Sequence, residues 1–262
     1  MTGAPARSHG WLRCREPRPG ARAQLVCFPH AGGSAGGYLR WSSGLPDDVE
    51  VHAAQYPGRE DRFNEPPRSH MSELVDPLVE ALCPRPGARL VLFGHSLGGT
   101  ICYEVAAGLQ ARGCPPDLAV ISGQKPPSLH RPGDLHRRSD QALLADLRRL
   151  NPRNADAFDQ LELMSLLLPM IRADYRAIET YHPRARPPLS CPLLIMVGES
   201  DPELSAADAE AWSDYTSAHI EVKRFAGDHF YLESNREAVL THLGRALARI
   251  PSAGRSRTHD SF

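Results

Sequence analysis

The chain alternates between two patterns of apolar residues. The first consists of short strand-like runs, most of them continuously apolar, which is typical of central strands covered on both faces. These runs lie at residues 25–28, 49–56, 90–93, 118–122, 193–197 and 220–225. The second places apolar residues on one helical face, at residues 71–82, 100–111 and 237–250. Strands that alternate with helices predict an α/β fold, in which a mostly parallel sheet has helices on both faces.

One stretch departs from this alternation. Residues 139–181 show helical periodicity and contain no strand-like run. A helical insertion between two strands is well placed to cover the carboxyl edge of the sheet as a lid. We therefore expect a single domain over residues 1–262, with a helical lid insertion at about 126–188 and a disordered polar tail at about 251–262. The alternative is an ordinary helical excursion that never moves.

Composition and charge argue against several classes of function. A formal net charge of −1 provides no attraction for nucleic acid or for an anionic membrane. No apolar run approaches the roughly 18 residues that span a bilayer, and the amino-terminal segment lacks the apolar core of a secretory signal. The six cysteines are scattered without a Cys-x-x-Cys pair, which indicates buried free thiols in a reducing compartment. We expect a cytoplasmic protein that binds neither nucleic acid nor membrane.

The strongest chemical signal is a serine nucleophile. Residues 94–98 read Gly-His-Ser-Leu-Gly, after the apolar run at 90–93 and before the helical stretch at 100–111. This strand–turn–helix context is that of a nucleophile elbow, in which Ser96 occupies a strained turn and the glycines stand where a Cβ would clash. A helix N-terminus at Ser96 also favours a developing anion. An incidental serine in an ordinary turn is the alternative, and we interpret the neighbouring His95 as a packing residue.

A serine hydroxyl needs a base that accepts its proton, and α/β-hydrolase-type folds supply it in the chain order Ser, Asp or Glu, His. His229 follows the last predicted strand, whereas His219 precedes that strand and belongs to the opposite edge. Asp201 follows the preceding strand at the same edge as His229, and Glu199 is the second candidate there. The acid would fix the imidazole tautomer and stabilise the imidazolium.

A glycine-rich loop at residues 29–37 follows the first predicted strand. It lacks the Gly-Lys-Ser/Thr ending and the Gly-x-Gly-x-x-Gly spacing of phosphate-binding loops. Its place is that of the second oxyanion donor in an α/β-hydrolase, so we predict that the backbone N–H groups of Ala31 and Leu97 bind the anionic oxygen. The sequence contains no metal-ligand cluster, and the predicted chemistry needs no metal and no cofactor.

Six motifs occur in order, beginning at residues 28, 56, 94, 168, 198 and 227. They read Phe-Pro-His-Ala-Gly-Gly, Tyr-Pro-Gly-Arg-Glu, Gly-His-Ser-Leu-Gly-Gly, Leu-Pro-x-x-Arg-Ala-Asp, Gly-x-x-Asp-Pro and Gly-Asp-His-Phe. In this order they resemble the type II thioesterases that accompany modular polyketide synthases and nonribosomal peptide synthetases. The resemblance covers roughly residues 24–247. The family often has Met after the nucleophilic serine, where this chain has Leu97.

The resemblance implies hydrolysis of acyl groups from the phosphopantetheine arm of an acyl carrier protein or a peptidyl carrier protein. Such hydrolysis removes stalled or misloaded acyl units in polyketide and nonribosomal peptide biosynthesis. Carried over by position, the catalytic triad consists of Ser96, Asp201 and His229, and the oxyanion donors are Ala31 and Leu97. The resemblance also assigns the helical insertion to a lid.

Three alternatives stay open at this point. They are a general carboxylesterase of the same fold, a chain-terminating thioesterase, and a non-catalytic module that binds carrier proteins. Arginines near the insertion can guide an acidic carrier protein or can form an ordinary solvated face. These arginines are Arg137, Arg138, Arg148, Arg149 and Arg153.

Overall fold

The computed structural model describes residues 10–82 and 84–250. Seven strands form one sheet in this part of the chain: β1 (Leu12–Arg13), β2 (Ala23–Phe28), β3 (Val49–Ala54), β4 (Arg89–His95), β5 (Leu118–Ser122), β6 (Leu193–Gly198) and β7 (Ile220–Phe225). The α-helices described are α1 (Ala35–Leu39), α2 (Met71–Ala81), α3 (Leu97–Ala111), α4 (Asp140–Leu150), α5 (Leu161–Glu179), α6 (Ala206–Glu210), α7 (Tyr231–Ser234) and α8 (Arg236–Arg249). The tail expected at 251–262 lies outside the described residues.

The strand order explains where a ligand can bind. The sheet runs β1-β3-β2-β4-β5-β6-β7, and every neighbouring pair is parallel except β1 with β3. The chain passes from β2 to β3 on one side and then continues with β4 on the other side of β2. The carboxyl ends of β2 and β4 therefore flank a topological switch point, where open α/β sheets bind ligands. At that edge Phe28 pairs with Gly94.

The predicted α/β fold with a mostly parallel sheet is confirmed. Each of the six predicted strands corresponds to one of β2 to β7, with small differences at the ends. The edge strand β1 was not predicted, because two partly buried residues carry no periodic signal.

Both faces of the sheet are buried, which explains the continuous apolar runs. On one face, Val26 and Phe28 of β2 belong to a core shared with α2 and α3. On the other face, Leu25 and Cys27 belong to a core shared with α1 and α8. Successive residues of a strand point to opposite faces, so the central strands are apolar at nearly every position, whereas the edge strand β7 is only partly buried and carries charged residues.

The chain between β5 and β6 is helical, as predicted for residues 139–181. It contains α4 and α5 together with short 3-10 turns, including one at Pro152–Asp159. These helices share a small apolar core of their own, formed by Leu143, Leu144, Leu147, Met164, Leu168, Met170, Ile171 and Tyr175. Ala31, in the loop after β2, packs against this core. The insertion therefore rests directly on the glycine-rich loop.

The cysteines of the described residues are free thiols, and most of them are buried. Within residues 10–82 and 84–250, no helix combines the length and the apolar character needed to cross a membrane.

Candidate active site

The turn between β4 and α3 has the geometry of an elbow. Ser96 has φ 55° and ψ −122°, a backbone conformation that is strained for any residue except glycine. A Cβ on Gly94 would lie 1.8 Å from the carbonyl oxygen of Gly98, and a Cβ on Gly98 would lie 2.0 Å from that of Phe28. The Ser96 N–H donates to the carbonyl oxygen of Ser122 at 2.9 Å. The two glycines are therefore required by close backbone packing.

Asp201 and His229 come together at the same edge of the sheet. The Nδ1 atom of His229 lies 3.0 Å and 2.9 Å from the two carboxylate oxygens of Asp201. The side chain of His229 is 3% exposed and that of Asp201 is 0% exposed, so water does not compete for this contact. Asp201 Oδ1 also accepts from the N–H of Glu203. Glu199, the second candidate acid, is exposed, and the carboxylate that His229 Nδ1 contacts is that of Asp201.

Ser96 and His229 line one cavity of about 330 Å³. The insertion completes its wall with apolar side chains such as Leu135 and Leu147 and with charged ones such as Asp146, Arg149 and Glu179. No hydrogen bond joins the Ser96 hydroxyl to the imidazole in the described residues, and in unliganded enzymes this contact often tightens only when substrate binds. The cavity thus brings a hydroxyl and an oriented imidazole together, with apolar and charged side chains around them.

The two predicted oxyanion donors, Ala31 and Leu97, line the same cavity as Ser96. Leu97 is the first residue of α3, where a backbone N–H has no partner within the helix. Ala31 lies in the loop after β2, against which Gly98 is packed. The switch point of the sheet therefore places both backbone segments beside the serine.

A buried polar chain lies behind His229. His95 is 0% exposed, its Nδ1 atom lies 2.9 Å from Ser122 Oγ, and Ser122 Oγ lies 2.6 Å from the hydroxyl of Tyr231. Burial, followed by repulsion from His229 and His30, holds the pKa of His95 well below its usual range. The pKa of His30 is lowered to about 4, chiefly by burial and then by His229 and Arg59. A neutral, buried His95 agrees with its interpretation as a packing residue.

Sequence reasoning missed a buried ion pair beside the glycine-rich loop. Arg59 donates to both carboxylate oxygens of Asp174, at 2.9 Å and 2.8 Å, and also to the carbonyl oxygen of Gly33. Asp174 additionally accepts from the N–H of Gly32 at 2.8 Å. Both residues belong to sequence motifs described above, and that motif membership was the available signal.

The arginines near the insertion are mostly engaged within the chain. Four of the five have an acidic partner: Arg138 with Asp134, Arg148 with Asp159, Arg149 with Asp146 and Glu203, and Arg153 with Asp228. Arg137 has no acidic side chain within 4 Å among the described residues, and the same holds for Arg176. These two line a groove of about 450 Å³ together with Arg172 and His136. Of the five predicted arginines, Arg137 is therefore the one whose charge is not engaged by an acidic side chain among the described residues.

The described residues contain one group of three side chains that could hold a metal ion: Cys14, Glu50 and His52. The Glu50 carboxylate already contacts His52 Nε2, Arg85 Nη1 and the N–H of Arg18. These contacts account for its burial without a metal. Glu50 is the second residue of β3 and lies at the edge of the sheet opposite Ser96.

The chain is similar to thioesterases of known sequence and structure. The chain matches the thioesterase domain family over residues 23–247. It is 39% identical over 224 residues to thioesterase PikA5 of Streptomyces venezuelae, covering 85% of this chain and 80% of that protein. It is 38% identical over 237 residues to a probable cadicidin biosynthesis thioesterase of Streptomyces griseus, covering 90% of this chain and 66% of that protein. The solved structure of BorB, the type II thioesterase from the borrelidin biosynthetic cluster, is 39% identical, with a TM-score of 0.85 over 93% of this chain and 100% of that one. The chain belongs to the thioesterase domain family.

Proposed function

We propose that this thioesterase works through Ser96 as nucleophile, His229 as general base and Asp201 as the residue that orients the base. The observation that carries the proposal is the buried contact of His229 Nδ1 with both oxygens of Asp201, beside a cavity that Ser96 also lines. Since Nδ1 is held by the carboxylate, Nε2 is the atom left to accept the serine proton.

The reaction follows from these positions. Ser96 Oγ attacks the thioester carbonyl carbon while its proton passes to Nε2 of His229. The N–H groups of Ala31 and Leu97 donate to the oxygen that becomes negative in the tetrahedral intermediate. The C–S bond then breaks, the thiol leaves with the proton from His229, and an acyl-enzyme remains. Water, deprotonated by His229, attacks the acyl-enzyme and releases the carboxylic acid and Ser96.

The proposed substrate is an acyl group on the phosphopantetheine arm of an acyl or peptidyl carrier protein, and the proposed role is to clear stalled or misloaded units. Relatives named for cadicidin and borrelidin biosynthesis support this substrate class. A cavity of about 330 Å³, lined by both apolar and charged side chains, has room for a short acyl chain rather than a folded peptide. Arg137 and Arg176, which lack acidic partners, are the groups we propose to contact an acidic carrier surface.

We also propose that residues 126–188 form the lid of a single α/β-hydrolase domain. Polar contacts join α4 and the turn after it to the segments that carry the acid and the base. Arg149 contacts Glu203, Arg153 lies 3.6 Å from Asp228, and Asn154 donates to Glu233. These side chains are largely exposed and such contacts are individually weak, so this end of the insertion can separate from the sheet.

The test is release of free acid from a carrier protein that bears an acetyl- or propionyl-phosphopantetheine arm. We expect the wild-type protein to release the acid and Ser96→Ala to release none. Turnover of simple oxygen esters without turnover of the carrier thioester would instead establish a carboxylesterase. Tight carrier binding by a wild type that hydrolyses neither substrate would establish a binding module.

A further inference from the structure

We propose that Arg59 and Asp174 are positioning residues that hold the oxyanion loop in the geometry that donation requires. This inference rests on the proposed function, because it assumes that the N–H of Ala31 faces the tetrahedral intermediate. It assigns a catalytic consequence to an ion pair that touches no substrate.

The ion pair meets the loop at two successive points. Asp174, on α5, accepts the N–H of Gly32 at 2.8 Å. Arg59, in the segment after β3, donates to the carbonyl oxygen of Gly33 at 2.9 Å. The side chain of Arg59 is 3% exposed and that of Asp174 is 0% exposed, and the two bind each other through two parallel hydrogen bonds. A planar guanidinium bound on both arms to a carboxylate has little freedom to rotate, so both contacts to the loop are fixed in direction.

These contacts determine how the Ala31 N–H points. The carbonyl oxygen of His30 accepts the N–H of Gly33 at 2.9 Å, which closes a tight turn. In a planar trans peptide the C=O and N–H point in opposite directions, so the Ala31 N–H must point away from Gly33. The turn keeps this orientation only while Gly33 stays in place, and Arg59 and Asp174 hold the peptides on either side of the Gly32–Gly33 bond. The ion pair therefore fixes the direction of the donor without contacting it.

The ion pair between Arg59 and Asp174 links the insertion to the sheet. Gly32 has φ +78°, and a Cβ there would lie 3.1 Å from Cγ1 of Ile171 on α5. The loop is thus packed against the helix that carries Asp174. A rival interpretation is that the ion pair only anchors α5 to the rest of the fold, with no effect on the donor.

A second buried carboxylate provides a matched control for that interpretation. Glu104, on α3, accepts from the hydroxyl of Tyr181 at 2.5 Å and lies 2.8 Å from Arg186. It anchors the chain immediately after α5 and makes no contact with the glycine-rich loop. Asp174→Asn and Glu104→Gln both replace a carboxylate with an amide of the same shape at an anchor of this helix. Each carboxylate oxygen of Asp174 accepts from at least one N–H of Arg59 or Gly32. In Asp174→Asn, the amide NH₂ group therefore faces one of these donors in either orientation of the amide.

The experiment compares wild type, Asp174→Asn and Glu104→Gln on propionyl-N-acetylcysteamine. The measurements are kcat, KM, the melting temperature and the Ki values of two inhibitors with the same acyl chain. A trifluoromethyl ketone forms a tetrahedral adduct with the serine, and its oxygen occupies the oxyanion hole; a thioether analogue occupies the ground-state site only. For Asp174→Asn we expect kcat to fall and the Ki of the ketone to rise by a similar factor, about 10- to 100-fold. This effect is smaller than the decrease in kcat that follows removal of a whole oxyanion donor. KM and the Ki of the thioether should change less than about threefold.

Glu104→Gln should lower the melting temperature and leave the ratio of the two Ki values unchanged. The proposal is overturned if folded Asp174→Asn keeps wild-type kcat, or if it loses kcat while the ketone and the thioether weaken equally. Should Asp174→Asn fail to fold at the assay temperature, Arg59→Lys carries the same test, because a lysine cannot bind both carboxylate oxygens and Gly33 in a fixed fork. Failure of the proposed catalytic role of Ser96 is distinguishable, since wild type would then neither hydrolyse the thioester nor form the adduct with the ketone.

Discussion

Gly98→Ala tests whether the elbow depends on close backbone packing. The added Cβ would lie 2.0 Å from the carbonyl oxygen of Phe28, where ordinary contacts are above 3.0 Å. Neither partner is the end of a flexible side chain, so the strand end and the start of α3 must separate by about 1 Å to restore ordinary packing. Ser96 lies two residues before Gly98 and moves with the helix. A displacement of about 1 Å at a reacting atom costs roughly 100-fold in rate, or about 2.7 kcal/mol of activation free energy.

The assay is hydrolysis of a small acyl thioester, with thermal melting measured in parallel. We expect kcat/KM of Gly98→Ala to fall at least about 100-fold, and its stability to fall by about 1–3 kcal/mol through overpacking. Gly244→Ala is the matched control, because a Cβ there meets Pro46 at an ordinary 3.6 Å in the middle of α8. It should keep full activity and gain about 0.5–1 kcal/mol of stability. A Gly98→Ala protein with activity within threefold of wild type would refute the packing argument.

Three further predictions follow from the site. Asp201→Asn should lower kcat by about 10³- to 10⁴-fold by disturbing the imidazole tautomer, whereas Glu199→Gln, at the exposed candidate, should stay within threefold in the same thioester assay. Burial depresses the pKa of His95, so below about pH 6.5 the unfolded chain binds a proton there that the folded chain does not bind. The free energy of unfolding therefore decreases as the pH is lowered, by at most about 1.4 kcal/mol per pH unit. Urea unfolding at pH 7 and pH 5 should show a smaller acid loss in His95→Gln than in wild type, and equal losses would contradict this. Reversing Arg137 and Arg176 to Glu should slow hydrolysis of the acyl-carrier substrate at low salt more than that of a small thioester, and equal effects would remove these residues from the carrier surface.

The central strands could be predicted because both faces of the sheet are covered, which leaves an uninterrupted apolar signal. The same logic placed Ser96, Asp201 and His229 together, since each follows the carboxyl end of a strand in one parallel sheet. The first residue of α3 was harder to predict from the sequence. The helix begins at Leu97 rather than near residue 100, because Gly98 and Gly99 are poor helix formers that backbone packing nevertheless requires.

The ion pair between Arg59 and Asp174 could not be predicted from local pattern. The two residues are 115 positions apart, and neither the charge nor the spacing of one indicates the other. Membership in two separate motifs marks them as unusual but does not pair them. The contact of Arg149 with Glu203 escaped prediction for the same reason, because the two residues are 54 positions apart and tertiary folding brings them together.

The continuity of α5 has a consequence for engineering acyl-chain preference. This single helix contributes Met164 and Leu168 to the core of the insertion, and further along it carries Asp174 to the loop after β2. Chimaeras that exchange the whole of residues 126–188 between homologues would replace both at once, and a loss of turnover could not be assigned to the acyl pocket. A crossover placed between Leu168 and Ile171 would transplant α4 and the first half of α5 while leaving the parental second half, with its fixed register against the sheet, in place.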